Sequence, residues 1–199
     1  NETNDKGIKP TPAIGGVGLL KDYEKMITMD FKKTGNYVYV IGKTEGHLDQ
    51  SIFAKDILNE KKGPPPSINL FNEKNIGETI LKLIEKKLIV SIHDVSLGGI
   101  LTAVSRMCIK SNKGIKINKP KGLTNKYEYF FGEDQARYIV EIPTNNIKEV
   151  DEMLNKNSIH FDELGIIQEK NVTLDGDINL PIEELSDAHK YWLKEYMNI

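Results

Sequence analysis

The chain has 199 residues, of which 39% are hydrophobic and 28% charged, with a formal net charge of −2. That balance supports a globular core and excludes a disordered chain; the near-neutral charge excludes a global basic field for nucleic acid. No run approaches the ~20 apolar residues of a membrane span, and the single cysteine, Cys108, excludes a disulfide framework and fits a reducing cytosol.

Residues 1–13 are polar, carry Pro10 and Pro12 and open without Met. They read as a linker from a preceding domain into a domain over 14–199, and the chain as a piece of a longer protein. Residues 13–20 form a strand candidate through Ile14, Val17, Leu19 and Leu20, interrupted by Gly15, Gly16 and Gly18. A short strand is expected over 26–31, a turn at Thr34-Gly35-Asn36, and a strand over 37–41, rich in β-branched and aromatic residues. Residues 49–59 read as a helix with Ile52, Phe53, Ile57 and Leu58 inward, and Gly63-Pro64-Pro65-Pro66 as a rigid loop. The spacing of Ile76, Ile80, Leu83 and Ile84 predicts a helix over 72–87, with Asn75 and Glu78 as a capping pair.

A buried strand over 88–92 then runs into a polar loop and a helix over 99–110, with Cys108 on its apolar face. Residues 114–118 are a strand candidate, the aromatic stretch 127–131 is expected to enter a strand, and 137–142 is a strand stopped by Pro143. An amphipathic helix is predicted over 145–157 and a hairpin over 161–167 and 171–174. A terminal helix over 181–197 carries Ile182, Leu185, Trp192, Leu193 and Tyr196 on its apolar face. Strands and helices mix without strict alternation, which predicts an α+β domain with a mixed sheet flanked by helices.

Candidate chemistry concentrates in two stretches. His93-Asp94-Val95-Ser96-Leu97-Gly98-Gly99 joins a strand to a helix start, whose unpaired N–H groups form a ready anion site. An aspartate beside phosphates is a hard oxygen ligand for Mg²⁺. Asp94 is therefore the candidate metal ligand, and Ser96, Gly98 and Gly99 the candidate nucleotide contacts; the plainer alternative is a capped strand–helix turn. His93 follows the buried run directly and reads as a core histidine orienting the loop, with an acid or base role as the alternative.

In Phe131-Gly132-Glu133-Asp134-Gln135-Ala136-Arg137, two carboxylates and an amide follow a glycine. Glu133, Asp134 and Gln135 are candidate substrate contacts, against a turn with a solvated acidic tip. Gly42-Lys43-Thr44 lacks the upstream glycine of a P-loop. No zinc-spaced cluster and no nucleophile motif occurs, so no catalytic residue is assigned.

Six segments in order carry a resemblance: Pro12 to Leu20, Gly46-His47-Leu48-Asp49-Gln50-Ser51, Gly63 to Pro66, His93 to Gly99, Phe131 to Arg137, and Leu180-Pro181-Ile182-Glu183-Glu184-Leu185. Together they resemble the last domain of phosphoribosylformylglycinamidine synthases. That domain is the second of two in those enzymes similar to the C-terminal half of aminoimidazole ribonucleotide (AIR) synthetase. Asn1-Glu2-Thr3 is similar to the tail of the motif closing the preceding domain. The resemblance implies the AIR synthetase C-terminal fold and a cytoplasmic, ATP-dependent carbon–nitrogen ligase of purine biosynthesis. Such an enzyme converts formylglycinamide ribonucleotide to the formylglycinamidine with Mg²⁺ and glutamine-derived ammonia. ATP activates the amide oxygen and ammonia displaces phosphate.

The absence of a glutaminase-like extension resembles the family's short form, which implies a separate glutaminase subunit and a small bridging subunit as partners beside the preceding domains. The catalytic histidines of the family lie in those earlier domains, so this chain alone is expected to be inactive. The matching loop of the long form binds metal and an auxiliary ATP or ADP, which implies Asp94 as metal ligand and Ser96 as nucleotide contact; the pseudo-equivalent of the 133–135 loop touches substrate. Leu97 stands where the family has aspartate and Asp49 where it has glycine, and Leu97 removes a polar contact from the loop. The alternative implied role is a non-catalytic module that completes the enzyme's core and docks its partners, binding at most the auxiliary nucleotide.

Overall fold

The structure, a computed structural model, describes residues 2–3, 6–7, 12–20, 22–60, 62–120, 125–174 and 177–198. Inside the expected linker, β1 (Glu2–Thr3) pairs antiparallel with β2 (Lys6–Gly7). Positions 1, 4, 5 and 8–11 of that linker, Pro10 among them, lie outside the described residues. A second sheet is built from β3 (Tyr37–Ile41), β4 (Ser91–Asp94), β5 (Gly114–Ile117), β6 (Tyr138–Ile142), β7 (Phe161–Gln168), β8 (Val172–Leu174) and β9 (Ile178–Leu180). Its spatial order is β4-β6-β3-β7-β5-β8-β9, and only the β5–β8 pair is parallel, so the sheet is mixed. The helices are α1 (Ile52–Asp56), α2 (Leu70–Glu85), α3 (Gly99–Ser111), α4 (Lys126–Phe131), α5 (Ile147–Lys156) and α6 (Ile182–Met197). This is the expected α+β architecture of a mixed sheet flanked by helices.

Successive strand positions point to opposite faces, and the centre of this sheet is covered on both. Val38, Val40, Ile139 and Leu164 pack with Val104 and Met107 of α3 and Phe130 of α4. On the other face Tyr39, Ile41, Val140 and Ile142 pack with Ile80 and Leu83 of α2 and Leu154 of α5. Two covered faces explain why 37–41 reads as an unbroken apolar run rather than an alternating one. Burial of each such aliphatic side chain contributes roughly 1.5–3 kcal/mol.

Glu141 is the polar exception on β6, fully buried. Its carboxylate accepts the backbone N–H of Lys32 at 2.7 Å and of Lys33 at 3.0 Å, and the Asn36 amide at 2.7 Å. The charge is thus spent on pinning the 31–36 turn to the sheet, which satisfies the rule that buried charges need hydrogen-bond partners.

Several local expectations give way to tertiary pairing. Residues 13–20 join no ladder among the described residues, and Ile14, Val17 and Leu19 are exposed; the expected 26–31 strand reduces to one bridge between Thr28 and Ser91. The 49–59 helix shrinks to α1, bracketed by the left-handed residues Gln50 and Asn59, and Ile57 and Leu58 face outward. Helix α2 starts earlier than predicted because Asn69 Oδ1 accepts the N–H groups of Phe71 and Asn72, so Asn69 rather than Asn75 is the cap.

The buried run 88–92 splits: Leu88 and Ile89 pack under α2 and α5, and the strand itself is Ser91–Asp94. Residues 127–131 form helix α4 instead of a strand. Asn125 caps it, Tyr129 and Phe130 are buried, and Phe131 stacks on Phe53 with ring centroids 4.9 Å apart, so packing overrides aromatic strand preference. The expected 161–174 hairpin is absent because β5 inserts between β7 and β8. Of the apolar face of α6, Ile182 is buried and Trp192, Leu193 and Tyr196 are exposed.

Cys108 lies in the core, and burial pushes its thiol up to about 12. At pH 8 its thiolate fraction is then about 10³-fold below that of a free thiol of pKa ~8.5. Native protein is therefore expected to react with an aromatic disulfide reagent only as fast as it unfolds, and immediate stoichiometric labelling in buffer would contradict the burial.

Candidate functional site

The segment 132–137 connects α4 to β6 and carries a buried ion pair. Arg137 is 2% exposed and Asp134 7%. The guanidinium donates to the carbonyls of Gly132 at 2.6 Å and Asp134 at 3.2 Å, and to Thr44 Oγ1 at 3.2 Å; its Nη1 lies 3.7 Å from Asp134 Oδ2. Burial pulls the Arg137 pKa below its ordinary value, and the Asp134 charge opposes that shift. The Asp134 carboxylate in turn accepts three backbone N–H groups, those of Glu45 at 3.1 Å, Gly46 at 3.0 Å and His47 at 3.1 Å. Such a pair is tolerated in an interior only because every charge has partners.

Glu133 beside it acts between elements. Its Oε1 accepts the N–H of Ile52, the first residue of α1, at 2.9 Å and the N–H of Gly98, at the start of α3, at 2.8 Å. Its own N–H donates to the His47 carbonyl at 2.9 Å. The strands of this knot touch backbone to backbone: a Cβ on Gly132 would lie 2.5 Å from the Glu128 carbonyl oxygen and 3.0 Å from Gly46 Cα, so both glycines are required by close approach.

Two clefts flank this knot. The larger, about 740 Å³, is lined by Lys43, His47, Asn69, Asn72 and Glu128 among others; the smaller, about 300 Å³, by Glu73, Asp94, Ser96, Leu97, Glu133 and Tyr138. Gln135 and Ala136 form the wall common to both. Ala136 is held at φ 54°, a left-handed conformation that L-residues rarely adopt. His47 Nε2 and Gln50 Nε2 contact the carbonyls of Pro64 and Gly63, which fastens the proline loop near the larger cleft.

Asp94 ends β4, and its side chain is 62% exposed at the smaller cleft. Burial raises its pKa, but hydrogen bonds from His93 and Ser96 outweigh burial and leave the carboxyl below its ordinary 3.8. The His93 contact runs from Nδ1 to Asp94 Oδ1 at 3.0 Å. An ionised, exposed carboxylate facing a cleft is the hard donor that Mg²⁺ takes together with phosphates and water. Among the described residues no group of three His, Cys, Asp or Glu could form a cage. A cation beside Asp94 would therefore take most of its ligands from water or a bound phosphate.

The two glycine N–H groups of the loop are engaged within the protein. Gly98 N–H is taken by Glu133, and Gly99 N–H donates to the Ser96 carbonyl at 3.0 Å. Gly99, at φ 71°, has a packing reason: a Cβ there would lie 2.7 Å from the Phe130 carbonyl oxygen. Ser96 and Leu97 are exposed at the rim.

The structure thus gathers Asp94, Ser96, Glu133 and Gln135 around one cleft, turns Asp134 inward, and buries Gly98 and Gly99. Sequence reasoning missed the backbone nest at 45–47 and the double role of Glu133. The paired glycines 46 and 132 were the available signal, because two distant glycines flanking acidic and polar residues mark close backbone approach.

Residues 31–177 match the family model for AIR synthase related protein, C-terminal domain. The chain is 60% identical over 197 residues to phosphoribosylformylglycinamidine synthase subunit PurL of Pelagibacter ubique, covering 99% of this chain and 27% of that one. The chain thus spans about a quarter of the length of the curated relatives it matches. A solved structure of T. maritima PurL complexed with FGAR has the same fold, with a TM-score of 0.67 at 20% identity, covering 82% of this chain and 30% of that chain. The structure of T. maritima PurL complexed with ATP gives a TM-score of 0.62 at 18% identity, covering 82% and 27%.

Asp134→Ala leaves Arg137 buried without its counter-charge and frees three N–H groups, so a loss of about 3–5 kcal/mol is expected in urea unfolding; a loss under about 1 kcal/mol would refute the clamp. Because the Asp94 pKa is lowered in the folded state, its contribution to stability is present above the unfolded value near 3.9 and is lost as pH falls through the folded value. Acid unfolding of Asp94→Asn should lack that component, seen as a flatter stability profile on the acid side of pH 4.

Proposed function

Because the chain belongs to the AIR synthase related protein family, matching its C-terminal domain, we propose that it is the last domain of a phosphoribosylformylglycinamidine synthase. The observation that carries this reading is the 60% identity to a subunit of that name along 99% of the chain. In this reading residues 1–13 link to the preceding domain and 14–199 form the domain itself. The whole enzyme is cytoplasmic. It uses ATP and Mg²⁺ to convert formylglycinamide ribonucleotide to the formylglycinamidine with glutamine-derived ammonia from a separate glutaminase subunit, which a small third subunit bridges to it.

Asp94 would hold Mg²⁺, which offsets phosphate charge when bound. Ser96 would contact the nucleotide, and the Gly98–Gly99 turn would shape the loop from behind rather than donate to phosphate. Gln135 is an exposed polar side chain of the 133–135 trio at the clefts. Glu133 and Asp134 would act on ligands by holding the cleft walls, Asp134 with both carboxylate oxygens and Glu133 with Oε1 given to backbone N–H groups. No residue of this chain is assigned to bond making or breaking, so it supplies structure and an auxiliary nucleotide site to chemistry performed by the rest of the enzyme.

A second reading, a docking module that binds no nucleotide, is favoured by the engaged Gly98 and Gly99 N–H groups and by Leu97. Calorimetric titration of the full-length protein with Mg-ADP separates the two. Under the first reading Asp94→Asn weakens binding by at least about tenfold; equal affinity in both proteins would favour the module. The isolated chain is expected to form no amidine from formylglycinamide ribonucleotide, ATP and ammonia, whereas the full-length protein does; product from the chain alone would overturn the assignment.

A further inference from the structure

His93 holds an atom that the fold does not use. Its side chain is 12% exposed, planted in the sheet opposite Ile139, while the neighbouring Asp94 side chain is 62% exposed. Nε2 is buried and has no hydrogen-bond partner. Among the described residues the one polar contact of the ring is Nδ1 with Asp94 Oδ1, at 3.0 Å. Contact with an ionised carboxylate requires a proton on Nδ1, while Nε2 lies inside the protein without a partner. A buried polar atom without a partner is destabilising, and such atoms in a native fold call for an explanation. A leucine at 93 would fill the space with no such penalty.

We infer that His93 is a positioning residue: its Nδ1–H fixes the direction of the Asp94 carboxylate toward the smaller cleft, so that the carboxylate meets a divalent cation already oriented. The inference rests on the reading of Asp94 as metal ligand. The anchor is the strand-borne imidazole, whose Nδ1 lies 3.0 Å from Asp94 Oδ1. Outer-sphere groups of this kind orient metal-binding side chains, and their loss typically weakens metal binding 10–100-fold. The remainder of the ring serves as a rigid spacer, which a buried imidazole between sheet and loop provides and a flexible chain does not.

The test uses Mn²⁺ as probe in the presence of ADP, with free Mn²⁺ read by electron paramagnetic resonance on the full-length protein, alongside thermal unfolding. His93→Leu is expected to weaken Mn²⁺ binding at least about tenfold with Tm unchanged or raised. His93→Asn, whose amide N–H reaches the Nδ1 position, should restore affinity to within about threefold of the parent, and His93→Gln, whose amide lies at the Nε2 position, should not. A merely structural histidine predicts the opposite pattern, a lowered Tm with affinity retained in the folded fraction, and that result overturns the inference. So does full affinity in His93→Leu when Asp94→Asn loses it. Undiminished Mn²⁺ binding by Asp94→Asn removes the metal-ligand reading itself, and the inference with it.

Discussion

The cleft region depends on one buried contact, the pairing of Asp134 with Arg137. A guanidinium and a carboxylate withdrawn from water are tolerable only if nearly every donor and acceptor is used. Arg137 therefore gathers the carbonyls of Gly132 and Asp134 and the hydroxyl of Thr44, and Asp134 gathers the N–H groups of residues 45–47. The requirement for saturation forces two loops, separated by nearly ninety residues, into one rigid knot. Glu133 extends the knot to the starts of α1 and α3. Both clefts take their shape from it, because Gln135 and Ala136, the wall they share, sit between Asp134 and Arg137 in the chain.

Residues that look like chemistry in a sequence thus divide into two groups. Glu133, Asp134, Arg137, Gly98 and Gly99 are occupied with architecture: carboxylates cap backbone N–H groups, and glycines permit close packing. Asp94, Ser96 and Gln135 remain turned toward open space. The same economy applies to Glu141, a fully buried charge on the central sheet whose oxygens are all directed at the 31–36 turn. An acidic motif in this fold is first a device for closing loops. His93 is the reverse case, a core histidine whose polar contact among the described residues is with the exposed carboxylate beside it.

Long elements with strong periodicity were legible. The run of Ile76, Ile80 and Leu83 announces α2, and 99–110 and 145–157 announce α3 and α5 closely, because one buried face leaves a 3.6-residue repeat in the chain. Short elements were not. Residues 127–131 carry strand-forming aromatics but coil into α4, since Phe131 finds Phe53 and Tyr129 and Phe130 find the core. The 161–174 pair reads as a hairpin from its turn alone, and only the arrival of β5 from fifty residues upstream separates its strands.

By itself the sequence determined the α+β class, the long helices, the central apolar strand, the family to which the chain belongs, and the identity of the residues around the clefts. Those properties are written in local periodicity and in the order of short motifs. Tertiary structure alone decided which acidic residues are spent on the fold and which face a cleft, that the helix start at Gly98 is already capped by Glu133, and that the His93 ring is buried with one free nitrogen. The reason is physical: whether a carboxylate or an imidazole is available to a ligand depends on which distant N–H groups and side chains reach it, and spacing along the chain does not encode those partners.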